Sequence, residues 1–153
     1  MANVYSQLYV HLVFAVKYRQ ALIHKYWKEN LHRWITSLVQ IDKHKMLQIN
    51  SMPDHIHILV GLNPAISISD LVKRIKSESS KWINEQRFSN HTFHWQEGYG
   101  AFSCNKRDLT QIIHYIKNQE IHHSKKSFLV EWQQILQELE LEAKDAWNFH
   151  EPI

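Results

Sequence analysis

The stretch MPDHIHILV, residues 52–60, joins a turn sequence to a short run in which apolar and histidine side chains alternate. Successive side chains of a β-strand point to opposite faces, so His55 and His57 share one face while Ile56 and Ile58 take the other. Two imidazoles on one rigid strand can bind a single divalent cation, although solvent-facing histidines on a half-buried sheet are the alternative. Two protein ligands leave a metal site open, which suits catalysis better than a closed structural site.

Hydrophobic periodicity on either side of this strand predicts the other elements. Alternating apolar residues indicate strands, and apolar residues at helical spacing indicate amphipathic helices. The predicted strands are 6–16, 46–50, 55–60 and 93–103, and the predicted helices are 22–40, 67–83, 108–124 and 131–143. Gly98 predicts a bulge or a sharp bend within the last strand.

The order of elements is therefore β-α-β-β-α-β-α-α. The first six match the split βαβ pattern, so the predicted fold class is α+β and ferredoxin-like, with helices on one face of an antiparallel sheet. The last two predict a C-terminal helical extension. No repeat, linker or low-complexity segment interrupts the chain, so one domain over 1–153 is expected, with its core at about 5–125 and a helix and acidic tail at about 127–153.

Composition excludes several classes of protein. The 153 residues are 44% hydrophobic and 22% charged, which is not the composition of a disordered chain. A single cysteine excludes a disulfide framework and a cysteine-rich zinc site, and it fits a reducing compartment. The longest apolar stretch, 8–16, is interrupted by His11 and is too short to span a bilayer. We therefore expect a cytoplasmic protein with no membrane partner.

Charge is divided unevenly along the chain. Residues 1–126 carry 17 of the 18 basic residues and nine of the 15 acidic residues, a formal charge of +8. Residues 127–153 carry one lysine and six acidic residues, a formal charge of −5. A basic body with a separate acidic tail indicates a polyanionic partner for the body, although a small domain with one basic side is the simpler alternative.

A second group of polar residues lies on the predicted helix at 108–124. The apolar stripe of this helix consists of Leu109, Ile112, Ile113 and Ile116. On a helical wheel Tyr115 lies about 110° from the centre of that stripe, so it is not an obvious core residue. Gln119, one turn further on, lies beside the tyrosine, as do Gln111 and His122.

Tyr115 is then either a boundary residue with its hydroxyl in water or a nucleophile. A phenolate can attack phosphorus and form a covalent phosphotyrosine bond that conserves the energy of the broken phosphodiester. A free phenol has a pKa near 10, so at pH 7 it needs a helper, and a metal ion that polarises the scissile phosphate is the expected one. The pair His55 and His57 can bind that metal ion.

Together the two motifs resemble those of the single-tyrosine HUH transposases of the insertion sequence 200/605 type, including their relatives associated with repetitive extragenic palindromes. The match at 52–60 is close, with His55 and His57 as the histidine pair. The segment YIKNQ, 115–119, resembles the nucleophile helix of the family, and WQEGYGAFS, 95–103, resembles the strand that precedes it. The resemblance covers nearly the whole chain.

This resemblance implies a ferredoxin-like enzyme that cleaves single-stranded DNA, often at a hairpin, and rejoins it through a 5′-phosphotyrosine link with a free 3′-hydroxyl. Tyr115 is then the nucleophile, and Mg²⁺ or Mn²⁺ is held by His55, His57 and Gln119. Members of the family act as homodimers, and in some the tyrosine helix of one subunit completes the histidine site of the other. Such an enzyme works in the cytoplasm and associates with the nucleoid when it is bound to DNA.

The basic residues fit a DNA partner, because phosphate contacts supply most of the affinity for a nucleic acid and unpaired bases stack on aromatic rings. Two follow the first strand, four are expected on the polar side of the second helix, and two open the tyrosine helix, where backbone amides favour anions. The predicted DNA contacts are Lys17, Arg19, Lys73, Arg74, Lys76, Lys81, Lys106 and Arg107. An ordinary solvated face is the alternative for each group.

Two further hypotheses belong to other classes of protein. A domesticated hairpin-DNA-binding protein can retain this fold without recombining DNA. The presence of all four motif residues argues against this hypothesis, and these are His55, His57, Tyr115 and Gln119. A structural zinc protein can use His122 and His123 together with His55 and His57, and it predicts no DNA affinity and a chelator-sensitive fold.

Two expectations concern assembly. The strands at 6–16 and 93–103 are long and apolar, and an exposed edge of this kind pairs with another chain unless it is covered. Edge pairing to a two-fold dimer is therefore expected. The acidic segment after Glu131 is expected to lie away from DNA, because its negative charge repels phosphate.

Overall fold

The computed structural model describes residues 4–20, 22–123 and 127–138. The elements are β1 (Tyr9–Ala15), α1 (Lys25–Ile41), β2 (Lys45–Met52), β3 (His55–Gly61), α2 (Ile68–Gln86), β4 (Gly100–Cys104), α3 (Leu109–Lys117), α4 (Gln119–His123) and α5 (Phe128–Glu138). Short 3-10 turns at Lys17–Arg19 and Lys106–Asp108 follow β1 and precede α3. This order confirms the predicted pattern, with the third predicted helix divided in two.

The four strands form one antiparallel sheet in the order β2-β3-β1-β4. The strands β1 and β3 are central, and their register pairs Val13 with His57. Each helical crossover, α1 and α2, skips one strand position, which is the split βαβ arrangement of a ferredoxin-like fold. The predicted fold class is therefore confirmed.

The two faces of the sheet are covered by different helices. On one face, alternate residues of β1 and β3, such as Leu12, Phe14 and Ile58, are fully buried beneath α1 and α2. On the other face, Val13 and Ala15 are buried against Trp132 of α5. The C-terminal extension thus covers the second face, which is the face that His55 and His57 share.

The predicted strand at 93–103 is shorter in the structure. Regular pairing begins only at Gly100, and before it Trp95 forms a single bridge to Val16. Gly98 has a φ of 89°, a left-handed conformation that glycine adopts at no steric cost, and this bend separates the two parts. The ammonium of Lys76 holds the bend by donating to the carbonyls of Gln96 and Gly98, at 2.7 and 2.6 Å.

The predicted helix at 108–124 is interrupted at Asn118. The amide Nδ2 of Asn50, on β2, donates to the carbonyl of Ile116 at 2.8 Å and to that of Lys117 at 3.3 Å. Carbonyls in the last turn of a helix need such partners, so a side chain from a neighbouring strand stabilises the end of α3. Residue 124 lies outside the described residues.

The last helix begins three residues earlier than predicted. The hydroxyl of Ser127 accepts from the backbone amide of Val130 at 3.3 Å, which is an N-cap contact. Residues 139–143 of the predicted helix lie outside the described residues. Within the described part of the chain, no helix combines the length and the hydropathy that crossing a bilayer requires.

Acid should destabilise the fold through His32, a buried residue of α1 whose ring nitrogen Nε2 lies 2.8 Å from Ser51 Oγ. Burial, with a smaller contribution from Lys28, lowers the pKa of His32 to about 4 from 6.5. Between these two values the unfolded chain binds the extra proton, so stability falls as the pH falls from 6.5 towards 4. Relative to His32→Gln, the wild type should lose about 2 kcal/mol of unfolding free energy between pH 7 and 4.5. Urea unfolding of both proteins at both pH values measures this difference. An equal loss of unfolding free energy in the wild type and in His32→Gln would contradict the prediction.

Candidate functional site

The strand β3 delivers His55 and His57 to the same face of the sheet, and both side chains are fully buried. Their ring centroids are 5.1 Å apart and the ring planes are inclined by 76°. The helices α3, α4 and α5 contribute the residues that surround them. The alternative of two solvent-facing histidines is therefore wrong.

His55 is held between a carboxylate and an amide. Its Nδ1 lies 2.7 Å from Asp54 Oδ1, and its Nε2 lies 3.4 Å from Gln119 Oε1. A carboxylate only accepts, so Nδ1–H donates to Asp54 and a neutral ring presents its Nε2 lone pair towards Gln119. Burial lowers the pKa of His55 to about 4, although Asp54 opposes this shift, so the ring is neutral at pH 7.

Gln119 directs its oxygen to this contact because its amide nitrogen is used elsewhere. Its Nε2 donates to the carbonyl of Tyr115 at 3.2 Å, and the whole residue is buried. The lone pairs of His55 Nε2 and Gln119 Oε1 thus face each other. A cation between two such acceptors would stabilise the pair, so this donor set fits a metal ion.

His57 contacts two residues that the sequence did not predict. Its Nε2 lies 3.1 Å from Glu131 Oε1 of α5, and its Nδ1 lies 2.9 Å from His11 Nε2 of β1. The rings of His11 and His57 are stacked, with centroids 5.1 Å apart. Burial, followed by the proximity of His57, lowers the pKa of His11 to about 3, so His11 is neutral.

These residues form one cluster of metal-binding atoms. One ligand atom from each of His55, His57 and Glu131 lies within 4.8 Å of the other two, and all three residues are buried. Imidazole and carboxylate donors bind Mn²⁺ and other first-row metals, and the oxygen of Gln119 is a donor that Mg²⁺ also accepts. This part of the chain can hold a divalent metal ion.

Tyr115 lies on α3 beside the cluster. The centroid of its ring is 5.7 Å from that of His57 and 6.3 Å from that of His11, and both contacts are edge-on. The side chain is half-buried rather than fully solvated. A tyrosine and the histidine pair of the same chain are thus brought together on one face of the sheet.

Of the eight predicted DNA contacts, five are exposed, two are held by contacts within the protein, and the side chain of the eighth is not described. Five of them are exposed, and these are Lys17, Lys73, Lys81, Lys106 and Arg107. Arg74 instead forms an ion pair with Asp42 at 2.9 Å, which links α2 to the end of α1. Lys76 does not project from the polar side of α2 as expected, because it is half-buried and holds the 96–98 bend. The side chains of Arg19, His122 and His123 lie outside the described part of the chain.

A groove of about 460 Å³ runs between α2 and the segment 94–99. Its wall carries the ammonium groups of Lys73 and Lys76, the carboxylate of Glu97, serine hydroxyls and the ring of Tyr99, and of the two ammonium groups that of Lys73 is exposed. Such a lining suits a phosphate-bearing chain with unpaired bases.

The structure is thus a ferredoxin-like sheet that brings a histidine pair and a helix-borne tyrosine together on one face. The family model described as "Transposase IS200 like" matches residues 4–119, and the chain belongs to this family. The chain is 29% identical to the transposase for insertion sequence element IS200 of Salmonella typhimurium over 115 residues, which are 71% of this chain and 74% of the relative.

Solved structures share the fold. A crystal structure from Deinococcus radiodurans matches with a TM-score of 0.63 and 24% identity, over 78% of this chain and 95% of the other. A REP-associated tyrosine transposase bound to a REP hairpin matches with a TM-score of 0.61 and 14% identity, over 80% of this chain and 73% of the other.

Proposed function

We propose that this chain cleaves and rejoins single-stranded DNA by transesterification, with Tyr115 as the nucleophile. The observation that carries the proposal is the position of the Tyr115 ring, 5.7 Å from the ring of His57 within one chain. The phenolic oxygen attacks the scissile phosphorus and the bond to the 3′-oxygen breaks. This leaves a 5′-phosphotyrosine link and a free 3′-hydroxyl, and attack by a 3′-hydroxyl on the link rejoins the DNA.

His55, His57 and Gln119 hold the metal ion in this proposal, and Mg²⁺ or Mn²⁺ is the cofactor. A bound ion supplies Lewis-acid stabilisation of the charge that develops on the phosphate. Asp54 fixes the tautomer of His55 through the 2.7 Å contact, which is the usual role of a residue behind a metal ligand. The short distance between Tyr115 and the histidines supports a tyrosine that acts in the site of its own chain.

The test is an incubation of the full chain with labelled single-stranded DNA from the flanks of its own gene and Mn²⁺. A denaturing gel should show a covalent protein–DNA adduct. The adduct should disappear with a chelator. Its absence with every DNA tested would leave the second candidate, a hairpin-DNA-binding protein without recombination activity, as the better one. The REP hairpin bound to the neighbour of similar fold favours a hairpin-containing substrate in either case.

We propose that DNA lies along the exposed lysines of α2 and the groove beside them. Replacing Lys73 by alanine should weaken binding of single-stranded DNA several-fold, and the slope of log affinity against log salt should become shallower by about 0.7 for one lost phosphate contact. Fluorescence anisotropy at several salt concentrations measures both quantities. Lys45→Ala is the matched control, an exposed lysine on the β2 edge of the sheet that should change neither. Equal effects of the two substitutions would refute this path.

A homodimer is also proposed, with a correction to its geometry. The strand β1 was expected to offer a free edge, but it lies between β3 and β4 and both of its edges are paired. The strand β4 is at the edge of the sheet, so it remains the candidate for two-fold strand pairing. A DNA substrate implies work in the cytoplasm, on the nucleoid.

A further inference from the structure

The helix α5 is fixed on the sheet by its tryptophan. Trp132 is buried against Val13 and Ala15, and its ring lies 5.9 Å from that of Phe102. A Cβ at position 100 would lie only 2.7 Å from the Trp132 ring, so a glycine is needed there for the close approach. Gly100 of β4 therefore allows α5 to pack on the face of the sheet that carries His55 and His57.

The neighbouring residue, Glu131, consequently points into the site. Its side chain is buried, with its Oε1 3.1 Å from His57 Nε2. Burying a carboxylate is costly unless it is paired or binds a metal ion. Neither an imidazole nor the amide of Gln119 brings a negative charge, so Glu131 is the only carboxylate among the four residues.

We propose that Glu131 is a further ligand of the divalent cation held by His55 and His57, and that α5 is the element that delivers it. This inference rests on the proposed function, since it deepens the same metal site. The match to the family model ends at residue 119, so the ligand comes from a part of the chain beyond that match. A carboxylate adds one negative charge to donors that bring none, and oxygen anions are the ligands that Mg²⁺ and Mn²⁺ prefer.

His11 contacts the ring nitrogen of His57 that does not face Glu131, with 2.9 Å between His11 Nε2 and His57 Nδ1. With Glu131 accepting from His57 Nε2–H, His57 Nδ1 accepts from His11 Nε2–H. A cation at His57 Nε2 would instead require the proton of that ring on Nδ1, and His11 Nε2 would then accept it. The 2.9 Å contact between the two rings could be made in both arrangements. His11 would then help to fix the orientation of the His57 ring.

The test is calorimetric titration of the full chain with Mn²⁺ alone, without DNA. Glu131→Gln keeps the shape of the side chain and removes its charge, and it should weaken Mn²⁺ binding at least tenfold. Glu85→Gln is the control, an exposed glutamate on α2 at the other face of the sheet, and it should leave the affinity unchanged. Circular dichroism of each variant checks that the substitution leaves the protein folded.

Three results would count against the proposal in different ways. An unchanged or higher Mn²⁺ affinity of Glu131→Gln, with binding lost in His57→Ala, overturns the role of Glu131 alone and makes α5 a cover over the site. No Mn²⁺ binding by the wild type overturns both the ligand and the metal site of the proposed function. An equal loss of affinity in Glu85→Gln and Glu131→Gln attributes the effect to net charge and also overturns it.

Discussion

Replacing Tyr115 by phenylalanine should abolish the covalent protein–DNA adduct while leaving the fold and hairpin binding nearly intact. The phenolic oxygen is the attacking atom in the proposed reaction, and phenylalanine removes it without changing the shape of the ring. Loss of a nucleophile removes the covalent route altogether, so the rate of adduct formation should fall at least a thousandfold. Adduct formation on a denaturing gel and DNA affinity by anisotropy measure the two effects separately.

The matched control for this prediction is Tyr18→Phe. Tyr18 is 49% exposed and lies in the turn after β1, so loss of its hydroxyl should leave adduct formation unchanged. If Tyr115→Phe still forms the adduct, another nucleophile acts in the protein and the assignment of Tyr115 is wrong. If it loses DNA binding as well, the substitution disturbs the face of the sheet rather than the chemistry.

Most of the fold could be predicted from local patterns, because each strand and helix carries one apolar face. Alternation in β3 and helical spacing in α1 and α2 are visible within a few residues of sequence. The exceptions depend on contacts between distant residues. The interruption at Asn118 depends on Asn50 from β2, and the late start of β4 depends on the bend that Lys76 holds. No window of the sequence around 118 or 96 contains those partners.

The predicted site was incomplete for the same reason. His55, His57, Tyr115 and Gln119 carry their signal in short motifs, whereas His11 and Glu131 do not. The alternation of β1 places His11 opposite to the core-facing Leu12, which was the available signal for His11. Glu131 is the first acidic residue of the acidic C-terminal part of the chain, which does not suggest a buried carboxylate, but the structure buries it at the histidine pair. Its position next to Trp132 on an amphipathic helix was the weak indication that this glutamate faces the protein.

Alanine at His55 or His57 should remove metal-dependent cleavage, and Gln119→Ala should weaken it less. An imidazole nitrogen is a stronger ligand than a neutral amide oxygen, so losing either histidine costs more affinity for Mn²⁺ than losing the glutamine. An alanine at either histidine also removes the ring that contacts a carboxylate. Asp54 loses its contact in His55→Ala, and Glu131 loses its contact in His57→Ala. Changing an outer-shell partner of a metal ligand costs roughly 10- to 100-fold, so for the ligands themselves we expect at least about a hundredfold lower rate in the histidine variants and about tenfold in Gln119→Ala.

Because the histidines are fully buried, a loss of activity has to be separated from a loss of fold. His55→Gln and His57→Gln keep a polar group in each position and serve as the second pair of variants. Calorimetry with Mn²⁺ on folded variants, alongside cleavage at increasing Mn²⁺, separates lost affinity from lost chemistry. Excess Mn²⁺ should restore cleavage to Gln119→Ala, whose histidine pair is intact, and not to the histidine variants. Unchanged Mn²⁺ binding in folded His55→Gln or His57→Gln protein would show that the metal is held elsewhere.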